Sequence, residues 1–156
     1  MTLEQKVFEG LEKRGWQISF AESCTAGLVA ARMVNVPSAS SVFSESFVTY
    51  ANSAKIKYLG VDPESIKAHG VVSEKVALEM AKGVCAQTGA QVGVGVSGIA
   101  GPGGGSKEKP VGTVCFGFCI GGLEYAFTKH FENTDRAGVR ASAVEFVFEF
   151  LSQRLD

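Results

Sequence analysis

Residues 16–34 run Trp16-Gln17-Ile18-Ser19-Phe20-Ala21-Glu22-Ser23-Cys24-Thr25-Ala26-Gly27-Leu28-Val29-Ala30-Ala31-Arg32-Met33-Val34. Residues 16–21 read as a strand. Residues 25–34 read as a helix that is apolar on most sides, so it should lie against a sheet and end before Pro37. A strand, a tight polar turn and a buried helix in succession form a building unit of α/β domains. The turn also sits at the carboxyl end of a strand, where open sheets collect ligands.

The flanking sequence extends the same pattern. Residues 3–14 form an amphipathic helix, with Leu3, Val7, Phe8 and Leu11 at helical spacing and Gly15 as its stop. Residues 42–50 alternate as a strand, 52–59 form a short helix closed by Gly60, and 63–69 another. Ser73 caps a helix whose apolar stripe of Val76, Ala77, Met80, Ala81, Val84 and Cys85 runs to Gly89. Residues 90–97 are a small and β-branched strand, 98–109 a loop, and 111–120 with 123–131 a hairpin about Gly121-Gly122. The last helix spans about 135–153. Helices interleaved with strands predict a single three-layer α/β/α domain over residues 1–156, on a mixed, mostly parallel sheet of five or six strands.

The composition agrees, with 156 residues, 46% of them apolar and 20% charged. A chain of this size can bury roughly 70% of its extended surface without help from disulfides or a metal. Fifteen Lys plus Arg against sixteen Asp plus Glu leave a net charge of -1. That balance argues against the broad basic face of a nucleic-acid binder, although a small anion needs only a local basic pocket. The polar start Met1-Thr2-Leu3-Glu4-Gln5-Lys6 has no signal-peptide pattern, which predicts a cytoplasmic protein. Glycines at 112, 117, 121 and 122 break the richest apolar run, so no membrane span is expected. Cys115 and Cys119 would lie about 13 Å apart on one face of a strand. With no CxxC or CxxH spacing, the cysteines read as reduced core thiols, and no cofactor is called for.

Three segments leave strands and so become candidate sites. In Ala21-Glu22-Ser23-Cys24-Thr25-Ala26-Gly27, Ser23 or Thr25 can serve as helix caps. Alternatively, the free backbone N–H groups of the turn can hold an oxyanion or phosphate. Thr49-Tyr50-Ala51-Asn52-Ser53-Ala54-Lys55 offers two proton carriers, Tyr50 and Lys55. A buried lysine loses its proton readily and can activate a serine, whereas a surface lysine cannot. Ser97-Gly98-Ile99-Ala100-Gly101-Pro102-Gly103-Gly104-Gly105-Ser106 is either an anion nest or a flexible loop. Gly93 to Gly98 formally match GxGxxG, but the glycines lie inside a strand and no helix follows, so a dinucleotide fold is rejected. The P-loop pattern fails after Gly101.

Arg136 and Arg140 stand i, i+4 at the start of the last helix, where the dipole and their mutual repulsion disfavour them. An anion should offset this, whether Asp135, Glu132 or a ligand phosphate. His69 and His130 have no acid or thiol at motif spacing and read as structural.

Five ordered blocks resemble the CinA carboxy-terminal domain family, in particular its stand-alone nicotinamide-nucleotide amidases. They are 21–25, 48–55 with Leu59-Gly60-Val61, His69-Gly70-Val71-Val72-Ser73, the glycine loop from Ser97 to Gly104, and Lys109-Pro110-Val111-Gly112-Thr113-Val114. The resemblance implies hydrolysis of nicotinamide mononucleotide to nicotinate mononucleotide and ammonia by a serine with lysine and tyrosine, without histidine. On this sequence Ser23 would be the nucleophile, Lys55 the general base, and Tyr50 the residue that positions or relays the proton. Glu22, Thr25, Ser97, Gly98, Gly101, Gly103, Gly104, Arg136 and Arg140 would line the substrate site, the last two with the glycine loop holding ribose and phosphate. A noncatalytic nucleotide-binding module is the alternative, and Cys24 the rival nucleophile. The partner implied is a small nucleotide, and a homo-oligomer, most simply a dimer, is expected. Two departures stand out: Ala26, where the family often has glycine, and Ser44-Glu45-Ser46, where a glycine pair often precedes the Val-Thr-Tyr strand. Bulk at Ser46 is expected to narrow the pocket or shift that strand. Longer members of the family carry a further amino-terminal domain that this sequence does not match.

Overall fold

The continuously apolar and small-residue strands at the centre of the sheet are buried on both faces, and the chain covers those faces with helices. The computed structural model describes residues 1–156. Its elements, in order, are α1 (Leu3–Arg14), β1 (Ile18–Glu22), α2 (Leu28–Met33), a 3-10 turn (Ala39–Ser41), β2 (Phe47–Val48), α3 (Asn52–Leu59), α4 (Pro63–His69), α5 (Glu74–Thr88), β3 (Val92–Gly98), β4 (Thr113–Ile120), β5 (Leu123–His130) and α6 (Arg136–Arg154). The five strands lie in the order β2-β1-β3-β4-β5. The first three are mutually parallel, while β4 runs antiparallel to both β3 and β5.

On one face, Ile18 and Phe20 of β1 and Val92, Val94 and Val96 of β3 join Val7 and Leu11 of α1, Val29 and Met33 of α2, and Val147 and Leu151 of α6 in the main core. On the other face Ala21 meets Leu59 of α3 and Val76, Met80 and Val84 of α5. This is the three-layer α/β/α arrangement expected from the sequence. Helix α5 rests directly on backbone, because Cβ atoms at Gly95 and Gly117 would both run into the Ala77 carbonyl. The glycines that imitated a dinucleotide fingerprint are therefore packing glycines.

Two boundaries differ from the sequence reading. The expected strand over 42–50 shrinks to Phe47–Val48 plus a single bridge between Phe43 and Ile18. Serine hydroxyls take over the pairing: Ser46 Oγ accepts from Phe20 N at 3.2 Å and donates to Phe20 O at 2.6 Å, and Ser19 Oγ donates to Glu45 O. Helix α2 starts at Leu28 instead of 25, because Ala26 and Gly27 both take left-handed backbone, with φ of 46° and 97°. An alanine there is strained by about 1–2 kcal/mol, which accounts for glycine being the favoured residue at that position. No helix is long and apolar enough to cross a membrane.

Candidate active site

Three parallel strands end at one edge of the sheet, so the segments that follow them converge. Ser23 directly follows β1, with its N–H bonded to Val96 O of β3, and Thr49 directly follows β2, with its N–H bonded to Glu22 O. The β1–β2 connection carries α2 on one face and the return to β3 carries α5 on the other, so the strand order reverses at β1 and leaves a crevice there. A cleft of about 160 Å³ opens at this point, lined by Ser23, Cys24, Tyr50, Asn52, Lys55, Val71, Val72, Ser97 and Gly98.

Lys55 is the centre of the site. It leaves the second turn of α3 facing inward and is only 1% exposed. Its Nζ lies 3.0 Å from Ser23 Oγ, 2.7 Å from Thr49 O and 3.1 Å from Tyr50 O, with no carboxylate among its partners. Burial pushes its pKa down to about 8, while Cys24 acts weakly in the opposite sense. A neutral amine has two N–H bonds and one lone pair. The two backbone carbonyls can accept only from the N–H groups, so the lone pair is left facing Ser23, where it accepts the hydroxyl proton. An ammonium would satisfy the same three oxygens with its three N–H bonds, so it is burial without a counter-charge, and not the partner set, that favours the basic form of the lysine.

The turn after Ser23 is held from both sides. Glu22, fully buried, caps α2 from within: Oε1 accepts from Val29 N at 2.9 Å and Oε2 from Ala30 N at 3.1 Å. Neither Ser23 nor Thr25 is the cap, and Glu22 is engaged by the helix instead of facing the cleft. Arg140 Nε donates to Cys24 O at 2.9 Å and its Nη2 reaches Thr25 O at 3.4 Å. Within the turn, Ser23 N and Ala26 N are already bonded, but the N–H groups of Cys24, Thr25 and Gly27 have no acceptor in the protein. Burial pushes the Cys24 thiol up to about 11, so beside Ser23 sits a protonated, unreactive sulfur.

The remaining expected residues fall into two groups. Ser97 and Gly98 line the cleft, with Ser97 Oγ donating to Val71 O at 2.9 Å. Gly101, Gly103 and Gly104 lie outside the lining; Gly103 and Gly104 are exposed, and the Gly101 carbonyl accepts from Arg136 Nη1 at 2.7 Å. Thr25 is buried, with a hydroxyl that has no partner. Tyr50 is 61% exposed; its phenol oxygen meets Arg136 Nη2 at 3.2 Å, and what it presents to Lys55 is its backbone carbonyl. Asp135 caps α6 through Gly138 N, and neither it nor Glu132 pairs with Arg136 or Arg140. Both guanidinium groups are held by neutral carbonyls, so their charge stays uncompensated at the rim. Ser46 is absent from the cleft lining, which removes the expected narrowing.

Asn52, Val71 and Val72 line the cleft without having been singled out as site residues. Their only sequence signal was membership of the matched blocks. His69 and His130 stand together in a different hollow, and no histidine reaches Ser23 or Lys55.

The sequence profile of the CinA C-terminal domain matches residues 1–155. A CinA-like protein of Syntrophobacter fumaroxidans is 46% identical over 143 residues, covering 92% of this chain. The chain spans only 34% of that relative's length. The crystal structure of a competence-damaged protein (CinA) superfamily protein from Klebsiella pneumoniae superposes with a TM-score of 0.93 at 34% identity, covering 98% of this chain and 95% of that one. A superfamily protein from Enterobacter cloacae gives a TM-score of 0.94 at 32% identity, covering 99% and 90%. With matching profile, sequence and three-layer architecture, the chain belongs to the CinA C-terminal domain family.

Proposed function

We propose that this protein is a serine amidohydrolase that deamidates nicotinamide mononucleotide to nicotinate mononucleotide and ammonia. The observation that carries the reading is the buried Lys55 amine, 3.0 Å from Ser23 Oγ with two carbonyls as its other partners. Neutral Lys55 takes the Ser23 proton as Oγ attacks the carboxamide carbon. The developing oxyanion is held by free N–H groups of the turn after Ser23, first that of Cys24, which lines the cleft, in a turn that Arg140 and Glu22 fix in place. The Lys55 ammonium then returns the proton to the departing nitrogen, and ammonia leaves. In the second step the amine takes a proton from water, which attacks the ester and frees Ser23.

The preference for a nucleotide amide rests on the family resemblance and on the cleft. At about 160 Å³ it takes an aromatic carboxamide head but not a whole nucleotide. The ribose and phosphate would extend over the open rim toward Arg136, whose charge no carboxylate neutralises.

Purified protein incubated with nicotinamide mononucleotide should release ammonia, and Ser23→Ala should reduce the rate by at least about 10³-fold with an unchanged melting temperature. Wild-type rates in Ser23→Ala would refute the serine assignment. A nucleotide-induced rise in melting temperature with no ammonia would instead favour the noncatalytic binding module.

A further inference from the structure

Cys85 and Cys119 lie far apart in sequence and have no part in the cleft, but the sheet register brings them together. Gly93 of β3 faces α5, since a Cβ there would collide with Cys85 Sγ and the Ala81 carbonyl. Cys119 of β4 is the residue directly opposite Gly93 in the antiparallel register. Opposed residues of an antiparallel pair project from the same face, with Cβ positions 4.5–5.5 Å apart. The Cys119 side chain therefore stands beside the space over Gly93 that Cys85 Sγ fills. Glycines at 93, 95 and 117 let α5 settle against the sheet more closely than larger residues would permit, and this close approach brings the helix thiol to the strand thiol.

We propose that Cys85 and Cys119 are a redox-active dithiol that closes to a disulfide between α5 and β4 when the protein meets a hydroperoxide. Both thiols are free in the structure; Cys85 is half-buried and Cys119 is buried, with 9% of its surface exposed. The neighbouring Cys85 thiol holds the Cys119 thiol below its ordinary pKa, and the same proximity raises that of Cys85. Cys119 is accordingly the attacking sulfur. Its thiolate displaces alkoxide (hydroxide, for hydrogen peroxide) from the peroxide oxygen and becomes a sulfenic acid, and the alkoxide is protonated. Cys85 then attacks that sulfur, the S–S bond forms, and water leaves with the Cys85 proton. Two thiols and one hydroperoxide thus give one disulfide, one alcohol and one water. The other two thiols are engaged elsewhere: Cys115 meets Thr128 Oγ1 at 3.5 Å, and Cys24 lines the cleft beside Ser23.

The test is peptide mapping of the full chain without reductant after treatment with hydrogen peroxide. A linked pair of peptides carrying Cys85 and Cys119, lighter by two hydrogens, reversed by dithiothreitol and accompanied by a higher melting temperature, is expected. In Cys85→Ala the partner thiol is gone, so Cys119 should run on to sulfinic and sulfonic acids under the same treatment. Wild-type protein in which Cys119 over-oxidises as in Cys85→Ala, in which both thiols stay free, or in which either links to Cys24 or Cys115, would overturn the proposal.

Discussion

Lys55 and Ser23 are separated by 32 positions, and neither is unusual by itself; Lys57 and Lys67 look the same in the sequence. What distinguishes Lys55 is burial without a counter-charge, which holds its pKa near 8. If the neutral amine is the working base, amide hydrolysis should rise about tenfold per pH unit and level off above about pH 8, and Lys55→Met should lower the rate by about 10²- to 10⁴-fold. A rate that is flat from about pH 6 to 9 would remove Lys55 from the proton path. The same group links stability to pH. An unfolded lysine keeps its proton to about pH 10.4, whereas the folded one loses it near 8, so between those values the unfolded chain binds more protons and folding gains stability as pH rises. Below about pH 8 the penalty for burying the charge is fully present. Denaturation of wild type and Lys55→Met at several pH values isolates this contribution, and wild type should gain on the variant from about pH 8 to 10. Cys24 provides the complementary control. With its pKa at about 11, iodoacetamide at neutral pH should modify it slowly, and Cys24→Ala should keep most of the activity. Rapid inactivation through alkylation of Cys24, together with retained activity in Ser23→Ala, would make it the nucleophile instead.

At the scale of elements, the turn between β1 and α2 shows what residue types alone leave undecided. Ser23 and Thr25 are good caps by type, yet the cap is Glu22, whose carboxylate reaches past the turn to the N–H groups of Val29 and Ala30. This frees the Ser23 hydroxyl for Lys55 and the next N–H groups for an incoming charge. Glu22→Ala would strand two donors at the helix start. It should cost about 1–3 kcal/mol for each buried one left unpaired, read as a lower urea midpoint, together with a loss of turnover as the turn relaxes. A variant with unchanged midpoint would show that water replaces the carboxylate at no cost. Helix α6 tells a similar story. The paired arginines called for an acidic neighbour, and the structure supplies the carbonyls of Gly101, Cys24 and Thr25. Its first two turns therefore brace the glycine loop and the nucleophile turn at once.

For the whole molecule, the close contact of α5 with the sheet sets the spacing on which the Cys85–Cys119 pair depends. Gly95→Ala places a methyl group against the Ala77 carbonyl and Met80 Cβ, so α5 must lift. Overpacking of this kind costs about 1–3 kcal/mol, and the melting temperature should fall with it; a neutral effect would mean that the helix moves freely. The order of elements, the three layers, and the helices over 52–59 and 74–88 were legible from the sequence, because capping residues, stop glycines and apolar periodicity act over a few neighbouring positions. So were the blocks that contain Ser23, Tyr50 and Lys55. The shortening of the 42–50 strand was not, since it turns on Ser46 and Ser19 bonding to backbone of other segments. Nor was it legible that Lys55 meets Ser23, that the tyrosine contributes its carbonyl to that lysine while its phenol goes to Arg136, or that Gly93 makes room for two thiols. Local chain preferences are written in adjacent residues. Which ends of parallel strands share an edge, and therefore which buried amine loses its water beside which hydroxyl, is fixed only when the sheet closes and desolvation acts on groups distant along the chain.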